Sequence, residues 1–453
     1  MSGVFFILLR LFSMGWLSQL LSKAVITGFL FGAGIQVAIS ELPSITGTTG
    51  SGDNSWQKLA SWISGLADTS TTTLIVGAVS LAVVFGIRFA APRVPGALVL
   101  VIGGLLASAL LDLGDLGVAL VGDVPAGLPS VVLPDLGYLQ ENATVVLTAA
   151  LSLLLIGFSQ SAGDARAFAS AHRYQVNINQ ESLAQGMANV GSGLVQGIPV
   201  SSSLSASSLN DQSGAKTPFA SLTTGVLVVL TMLFLAPLFS GLPAPVLGAL
   251  IIEAVVMGMM DVPAMRRLFH VKRTDFWIAI AALVGVLSAG VLAGVVIGVA
   301  LSVGWLVYVS AVPEMPVLAR QPGHEVFRPL AGHPHDETYS GVIVLRYDAG
   351  LFFIDADALE DRIRQLAVDE GPSLKVVVVD FEGVNYVDSQ GSEKVGSILD
   401  LAGHHDVELR LARVKPAVVD VLRRDGVIDR LGEEHLYGNV YQAVEDQLPT
   451  SES

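Results

Sequence analysis

Apolar stretches near bilayer-crossing length recur along this 453-residue chain, at about 3–20, 24–42, 71–90, 94–111, 144–163, 217–240, 244–260 and 275–312. A helix needs about 20 such residues to cross about 30 Å of hydrocarbon. No other feature limits the fold as strongly, because every backbone N–H and C=O in lipid must be paired within the protein. The last stretch is long enough for two helices, and a shorter glycine-rich segment, SLAQGMANVGSGLVQG, adds another. Roughly ten or eleven membrane elements are expected on that length criterion. The N-terminal run MSGVFFILLRLFSMGWLSQLL has no basic region before it and no small-residue cleavage site after it, and reads as a membrane segment rather than a signal peptide.

Composition agrees with that reading. Only 14% of residues are charged and the mean hydropathy is +0.62, whereas about a quarter of a soluble domain is charged. The net charge of -15 leaves no basic stripe for a nucleic-acid partner. The absence of cysteine excludes disulfides, thiolate metal sites and cysteine nucleophiles. Orientation follows from the cations. Arg88 with Arg93, Arg166 with Arg173, and Arg266, Arg267, Lys272 and Arg273 fall in alternate loops, which are assigned to the cytoplasm.

After Pro313 the pattern changes. A proline- and glycine-containing linker leads into short strand-like runs (GVIVLRY, LKVVVVD, VELRLAR) alternating with helix-like ones, the mark of a small α/β domain. The expected fold class is therefore a polytopic α-helical membrane domain plus a small cytoplasmic α/β domain. Expected boundaries are 1–312 for the membrane domain, 313–339 for the linker, 340–447 for the α/β domain and 448–453 for the tail. An internal echo between LSKAVITGFLFGAGI, from Leu21, and LPAPVLGALIIEAVV, from Leu242, is what a transporter built of two repeats would show.

Between two apolar regions lies GIPVSSSLSASSLND, Gly197 to Asp211, with six serines and no cation. Non-helical polar backbone survives at membrane depth only when buried in protein or lining a cavity. Pro199 breaks any arriving helix, and the serines after it suit the N-cap of a short new helix through Leu204 to Asn210. The free N–H groups and positive dipole end of such a half-helix bind anions without a charged side chain. The alternative is a polar surface loop after a small-residue packing helix.

The segment NINQESLAQGMANVGSGLVQGIPVSSSLSASSLNDQSGAKTPFASL resembles the signature of the sulfate permease (SulP) family of anion transporters. SKAVITGFLFGAGIQ and VGDVPAGLP match in family order, and GLFFIDADALEDRI with VVVVDFEGVNYVDSQG is similar to the STAS domain that follows the membrane part. The resemblance implies two inverted repeats of seven segments, with a small anion held between two facing half-helices, and a homodimer supported by the STAS domain. The substrate-binding half-helix then carries over as Ser203, Leu204, Ser205, Ala206 and Ser207, with Ser205 at the anion-contacting serine position and Gln160 on the eighth helix. The STAS regulatory loop carries over as Asp388, Ser389 and Gly391.

Departures from the family are equally specific. The half-helix arginine falls on Ala206 and the acidic residue of the eighth helix on Gln160, so both charges of a pair are lost together. Asp164, one turn on, is either a substitute proton carrier or a cytoplasmic-end partner of Arg166. By the resemblance, the first three membrane segments have no counterpart, and the repeat offset places the start roughly 75 residues before Met1. A late start, a truncated gene or a protein that does not transport would each account for this. In the STAS loop the phosphorylated serine of related regulators falls on Gln390, and Ser389 is expected to cap the following helix.

Several other residues leave alternatives open. His333, His335 and Asp336 have ligand-capable side chains but sit in a segment suited to a solvated turn. Glu253 lies in an apolar stretch, either functional or a neutral or hydrogen-bonded acid. Glu181 and Asn189 match family positions that capping and packing also explain. His404 and His405 would suit a helix C-terminus. No hydrolase elbow, metal-binding helix or nucleotide fingerprint is present, so neither an enzyme, a metal nor a cofactor is expected. Two functions follow: secondary transport or exchange of small anions, sulfate-like by resemblance and including bicarbonate, chloride or carboxylates; or a degenerate transporter that displays its STAS domain to cytoplasmic protein partners.

Overall fold

The computed structural model describes residues 1–15, 22–91 and 94–448, apart from the side chain of Ser205. Arg93, one of the cations used for orientation, lies outside the described residues. Two compact units are present, Met1–Val303 and Gly304–Ser453.

The first unit is helical throughout. Its elements are α1 (Ser2–Leu11), α2 (Lys23–Thr46), α3 (Ser55–Ser64), α4 (Thr71–Ala90), α5 (Gly96–Leu111), α6 (Leu136–Glu141) and α7 (Ala143–Ala171). They continue with α8 (Ile178–Leu194), α9 (Leu204–Gln212), α10 (Phe219–Leu230), α11 (Ala244–Gly258), α12 (Val262–Val271), α13 (Arg273–Ala289) and α14 (Val291–Ala311), whose residues from Gly304 on belong to the second unit. Short polar side chains start several of them. Ser22 accepts a hydrogen bond from the Val25 N–H at the head of α2, Asn54 from Gln57 before α3, and Ser70 from Thr73 before α4, each satisfying a donor that has no partner within its own helix.

Six helical segments among the described residues are long and apolar enough to cross a membrane. The expected 3–20 span is not one of them. Its helix stops at Leu11, Ser13 turns with φ 53, and residues 16–21 lie outside the described residues. At 1.5 Å per residue the ten-residue α1 covers about half the hydrocarbon thickness. The expected 217–240 span is continuous but not uniform. From α10 it passes through a π-helical turn, Thr231–Leu235, into a 3-10 stretch, Ala236–Gly241, where Pro237 has no N–H to give. The expected 275–312 stretch is two helices, α13 and α14, reversing at Gly290 with φ 87.

One core of this unit joins α2, α4, α5 and α11 through Ile45, Val84, Leu100, Val246 and Ala249, with Leu242 just before α11. Another sets α1 on α7 through Phe6, Leu9, Leu154 and Phe158. Large apolar side chains such as Phe219, Leu222 and Phe234 point outward, as residues solvated by lipid rather than water do.

In the second unit β1 (Leu318–Arg320) and β2 (Phe327–Pro329) form an antiparallel hairpin. There follow β3 (Val342–Arg346), α15 (Ala356–Glu370), β4 (Val376–Asp380), α16 (Ser389–His404), β5 (Glu408–Ala412), α17 (Pro416–Arg424), α18 (Val427–Leu431), β6 (Leu436–Tyr437) and α19 (Val440–Val444). Strands β3, β4, β5 and β6 lie side by side in that order, all parallel. A parallel sheet is covered on both faces. Leu345, Val377, Val379, Leu409 and Leu411 pack with residues of α15 to α18, while Val344, Val376 and Val378 pack with Val440, Ala443 and Val444 of α19 and with Leu318.

Residues 313–339 are therefore more than a linker, since Leu318 and Ala319 are buried and Val317 bridges to Leu345. His333 to Asp336 form the expected turn, with the Asp336 N–H donating to the His333 carbonyl at 3.1 Å and His335 exposed, and Asp336 is also tied down from outside it. Its carboxylate accepts two hydrogen bonds from the Arg328 guanidinium, at 2.7 and 2.9 Å, which holds it below the usual carboxylate range.

Candidate functional site

The polar run is built by its neighbours. Asn177 caps α8 by accepting from the N–H groups of Asn179 and Gln180, and Glu181 lies in the first turn, where the helix dipole favours a carboxylate. Gly186 of α8 and Gly3 of α1 mark a backbone crossing: a Cβ on Gly3 would stand 2.8 Å from the Gly186 carbonyl oxygen, and one on Gly186 would stand 3.0 Å from that of Gly3. Small residues at such a crossing let membrane helices approach closely.

The chain turns out of α8 at Gln196, with φ 59, and runs without helix or strand to the serines. Asn189 then acts on Val200 as a neighbouring strand would. Its Nδ2 donates to the Val200 carbonyl at 2.9 Å, and the Val200 N–H donates to its Oδ1 at 3.0 Å. Gln185 also donates to the Val200 carbonyl, and Ser192 Oγ donates to that of Ile198 at 2.6 Å. Pro199 between them has no N–H. Side chains of α8 thus satisfy backbone that neither helix nor sheet reaches.

Ser203 ends that stretch. Its Oγ accepts from the Ala206 N–H at 3.3 Å and caps α9, a nine-residue helix. Just before it, Ser202 Oγ donates to Asp164 Oδ2 of α7 at 2.7 Å. At the far end of α9, Asp211 lies 3.0 Å from His172 Nε2. A cavity of about 570 Å³ opens along the flank of α9, lined among others by Ser161, Asp164, Glu181, Ser202, Ser207 and Lys216.

The sequence-derived residues divide accordingly. Ser207 lines the cavity; Ser203, Leu204 and Ala206 are exposed around the start of α9 and do not line it; the Ser205 side chain lies outside the described residues. Gln160 is half-buried on α7, also away from the lining, while Asp164 one turn on does reach it. Three carboxylates, Asp164, Glu181 and Asp211, line the cavity together with His172 and Lys216. Glu253 of α11 is mostly buried, with Arg88 of α4 at 4.0 Å.

In the STAS-like loop Asp388, not Ser389, is the N-cap of α16. Its Oδ1 accepts from Gly391 N–H at 2.8 Å and its Oδ2 from Phe353 N–H at 3.0 Å, leaving Ser389 exposed at the first helical position. Gly391 is required by contact, since a Cβ there would stand 2.3 Å from the Leu351 carbonyl oxygen. His404 Nδ1 lies 2.6 Å from the Asp400 carbonyl oxygen in the last turn of the helix.

The Asn189–Val200 and Asp164–Ser202 contacts were not foreseen. The available signal was an amide and a carboxylate on helices flanking a segment with no ladder partner.

Comparison with known proteins agrees with this architecture. Residues 1–282 match the sulfate permease family and residues 333–446 the STAS domain. A probable sulfate transporter of Mycobacterium tuberculosis is 30% identical, over 95% of this chain and 77% of its own. The probable sulfate transporter 4.2 of Arabidopsis thaliana is 28% identical, over 98% and 68%. The murine solute carrier 26 family member A9 anion transporter, in its inward-facing state, superposes with a TM-score of 0.87 at 22% identity, over 98% of this chain and 74% of that one. With two family matches in this order, the chain belongs to the sulfate permease family of multi-pass membrane proteins and carries the STAS domain.

Proposed function

We propose that this protein moves small oxyanions, sulfate foremost, across the membrane as a secondary transporter or exchanger, binding them at the N-terminus of α9. The observation that carries the reading is a helix that begins inside the membrane unit, capped by Ser203 and held by Asn189. The N–H groups of Leu204 and Ser205 have no acceptor within their own helix and, with the dipole, favour an anion. Hydroxyls of Ser203, Ser205 and Ser207 add donors. Because Ala206 brings no cation, monovalent anions such as bicarbonate or chloride compete with sulfate more readily than they would beside an arginine. Relatives named as sulfate transporters from a bacterium and a plant support the oxyanion class.

In the same reading residues 1–312 carry transport and residues 340–447 form the cytoplasmic STAS domain, through which two copies pair and other proteins meet the loop around Asp388, Ser389 and Gly391. The cytoplasmic assignment rests on the cations before α13, because α13 and α14 together return the chain to the side it left.

The test is sulfate counterflow by the full chain in proteoliposomes. Wild type should exchange labelled sulfate, and Ser205→Trp should lower the rate by roughly tenfold or more by filling the helix end. No exchange by wild type would overturn the reading in favour of a protein that only displays its STAS domain.

A further inference from the structure

Away from α9, the start of α2, the short helix α12 and the start of α13 enclose a cavity of about 210 Å³, lined by Lys23, Thr27, Ala264, Arg267, Leu268, Val271 and Asp275. Two cations and the mostly buried Thr27 face it. Its one carboxylate, Asp275, lies in the first turn of α13, where the helix dipole stabilises it. Among the described residues neither Lys23 nor Arg267 has an ion-pair partner. The volume is several times the about 30 Å³ that a water molecule occupies in the liquid, enough for a hydrated phosphate group.

The surroundings are apolar and outward-facing. Val262, Phe269, Val271 and Trp277 are exposed beside these cations, and Phe269 packs edge-on to Phe276 with Arg273 over its ring at 5.8 Å. Basic residues interleaved with exposed aromatics mark a helix lying at the membrane interface. The cations before α13 assign this cavity to the cytoplasmic leaflet. That leaflet is the anionic one.

We propose that this cavity binds the phosphate headgroup of an anionic phospholipid, with Lys23 and Arg267 as its charge partners. The acyl chains lie over the exposed face of Phe269, Val271 and Trp277. A free phosphate ion would use the same cations but gain nothing from that face, which is why the lipid is the occupant.

The test uses the full chain purified in detergent from vesicles of phosphatidylcholine with phosphatidylglycerol, counting the phosphatidylglycerol retained per chain. Wild type should keep phosphatidylglycerol in preference to phosphatidylcholine. Lys23→Gln and Arg267→Gln should each lower retention roughly fivefold, the effect of one cation near an anionic surface. The charge-keeping Lys23→Arg and Arg267→Lys should retain it, and so should Arg266→Gln, on the same helix but outside the cavity lining. Should a glutamine variant not fold, the other and the charge-keeping pair still decide. Equal retention by wild type and both glutamine variants would overturn the proposal. Displacement of the lipid by excess inorganic phosphate would overturn it too, reassigning the cavity to a soluble anion.

Discussion

Asn189 satisfies both backbone groups of Val200; because Gln185 also reaches the carbonyl, loss of Asn189 would leave the Val200 N–H unpaired. Such a group costs about 1–3 kcal/mol. Asn189→Ala should therefore loosen the segment ahead of α9, raising amide exchange at Val200 and lowering sulfate exchange, whereas Asn189→Asp keeps only the acceptor and should lie between. Unchanged exchange at Val200 in the alanine variant would refute the splint. Gly391→Ala tests the other tight contact. With a Cβ 2.3 Å from the Leu351 carbonyl oxygen, backbone must move, and a loss of roughly 1–3 kcal/mol is expected, read as faster exchange through the first turn of α16. A normal exchange pattern would refute it. At this scale sequence was a partial guide. The sequence places a loop at Asp388, Ser389 and Gly391 but points to Ser389 as the cap, one residue late, because serine and aspartate are both good caps and their spacing alone does not separate them. For Asn189 the sequence suggests only packing, since its partner lies eleven positions on and becomes a neighbour only after the turn at Gln196.

Elements with strong local signals were legible, and those that depend on tertiary partners were not. Runs of apolar residues mark α2, α4, α5, α11 and the α13–α14 pair within a few residues and the start of α7, which runs eight residues past the expected end, and proline followed by serines marks α9. The same apolar signal overextended α1, because hydropathy does not register the turn at Ser13. It also hid the π-helical step after α10, which preserves apolar character while changing the hydrogen-bond register. The 313–339 segment looked like a linker because its strands are three residues long and their pairing partners are not local. For α9 the cap and the proposed anion site share one residue, and chemistry can separate them. Ser203→Ala should cost about 1 kcal/mol of helix stability, seen as faster exchange in the first turn, and should weaken sulfate exchange. Ser203→Asp caps as well as serine but places a negative charge where the anion would sit. It should protect α9 and still abolish sulfate exchange. If Ser203→Asp transported sulfate as wild type does, the helix N-terminus would not be the binding end.

Across the whole molecule charge is distributed unevenly, and acid should act mainly on the STAS unit. Arg410, almost fully buried, spans β5 and the C-terminal helix. It donates to Glu408 at 2.7 and 2.9 Å, to the Ala443 carbonyl at 2.7 Å and to Asp446 at 2.8 Å, with Tyr437 stacked 5.7 Å away. These hydrogen bonds pull the Asp446 carboxyl down to about 2 and lower that of Glu408 as well. A carboxyl depressed in the folded state adds stability that is full above its unfolded value, about 3.9 for aspartate, and is lost as pH falls toward the folded value. Asp355 acts in the opposite sense: burial raises its carboxyl, so protonation there favours the folded form and offsets part of the loss. Lowering the pH from about 5 to about 2.5 should therefore release α19 first, because its hold on the sheet includes the Arg410 contacts to Ala443 and Asp446. Amide exchange through Val440–Val444 should rise over that interval in the full chain. In Asp446→Asn, which keeps an acceptor but no titrating charge, α19 should be looser at pH 5 and less sensitive to further acid. Identical acid profiles for the two proteins would mean that the half-exposed Asp446 pair is screened by water into irrelevance, leaving the clamp to Glu408 and the Ala443 carbonyl.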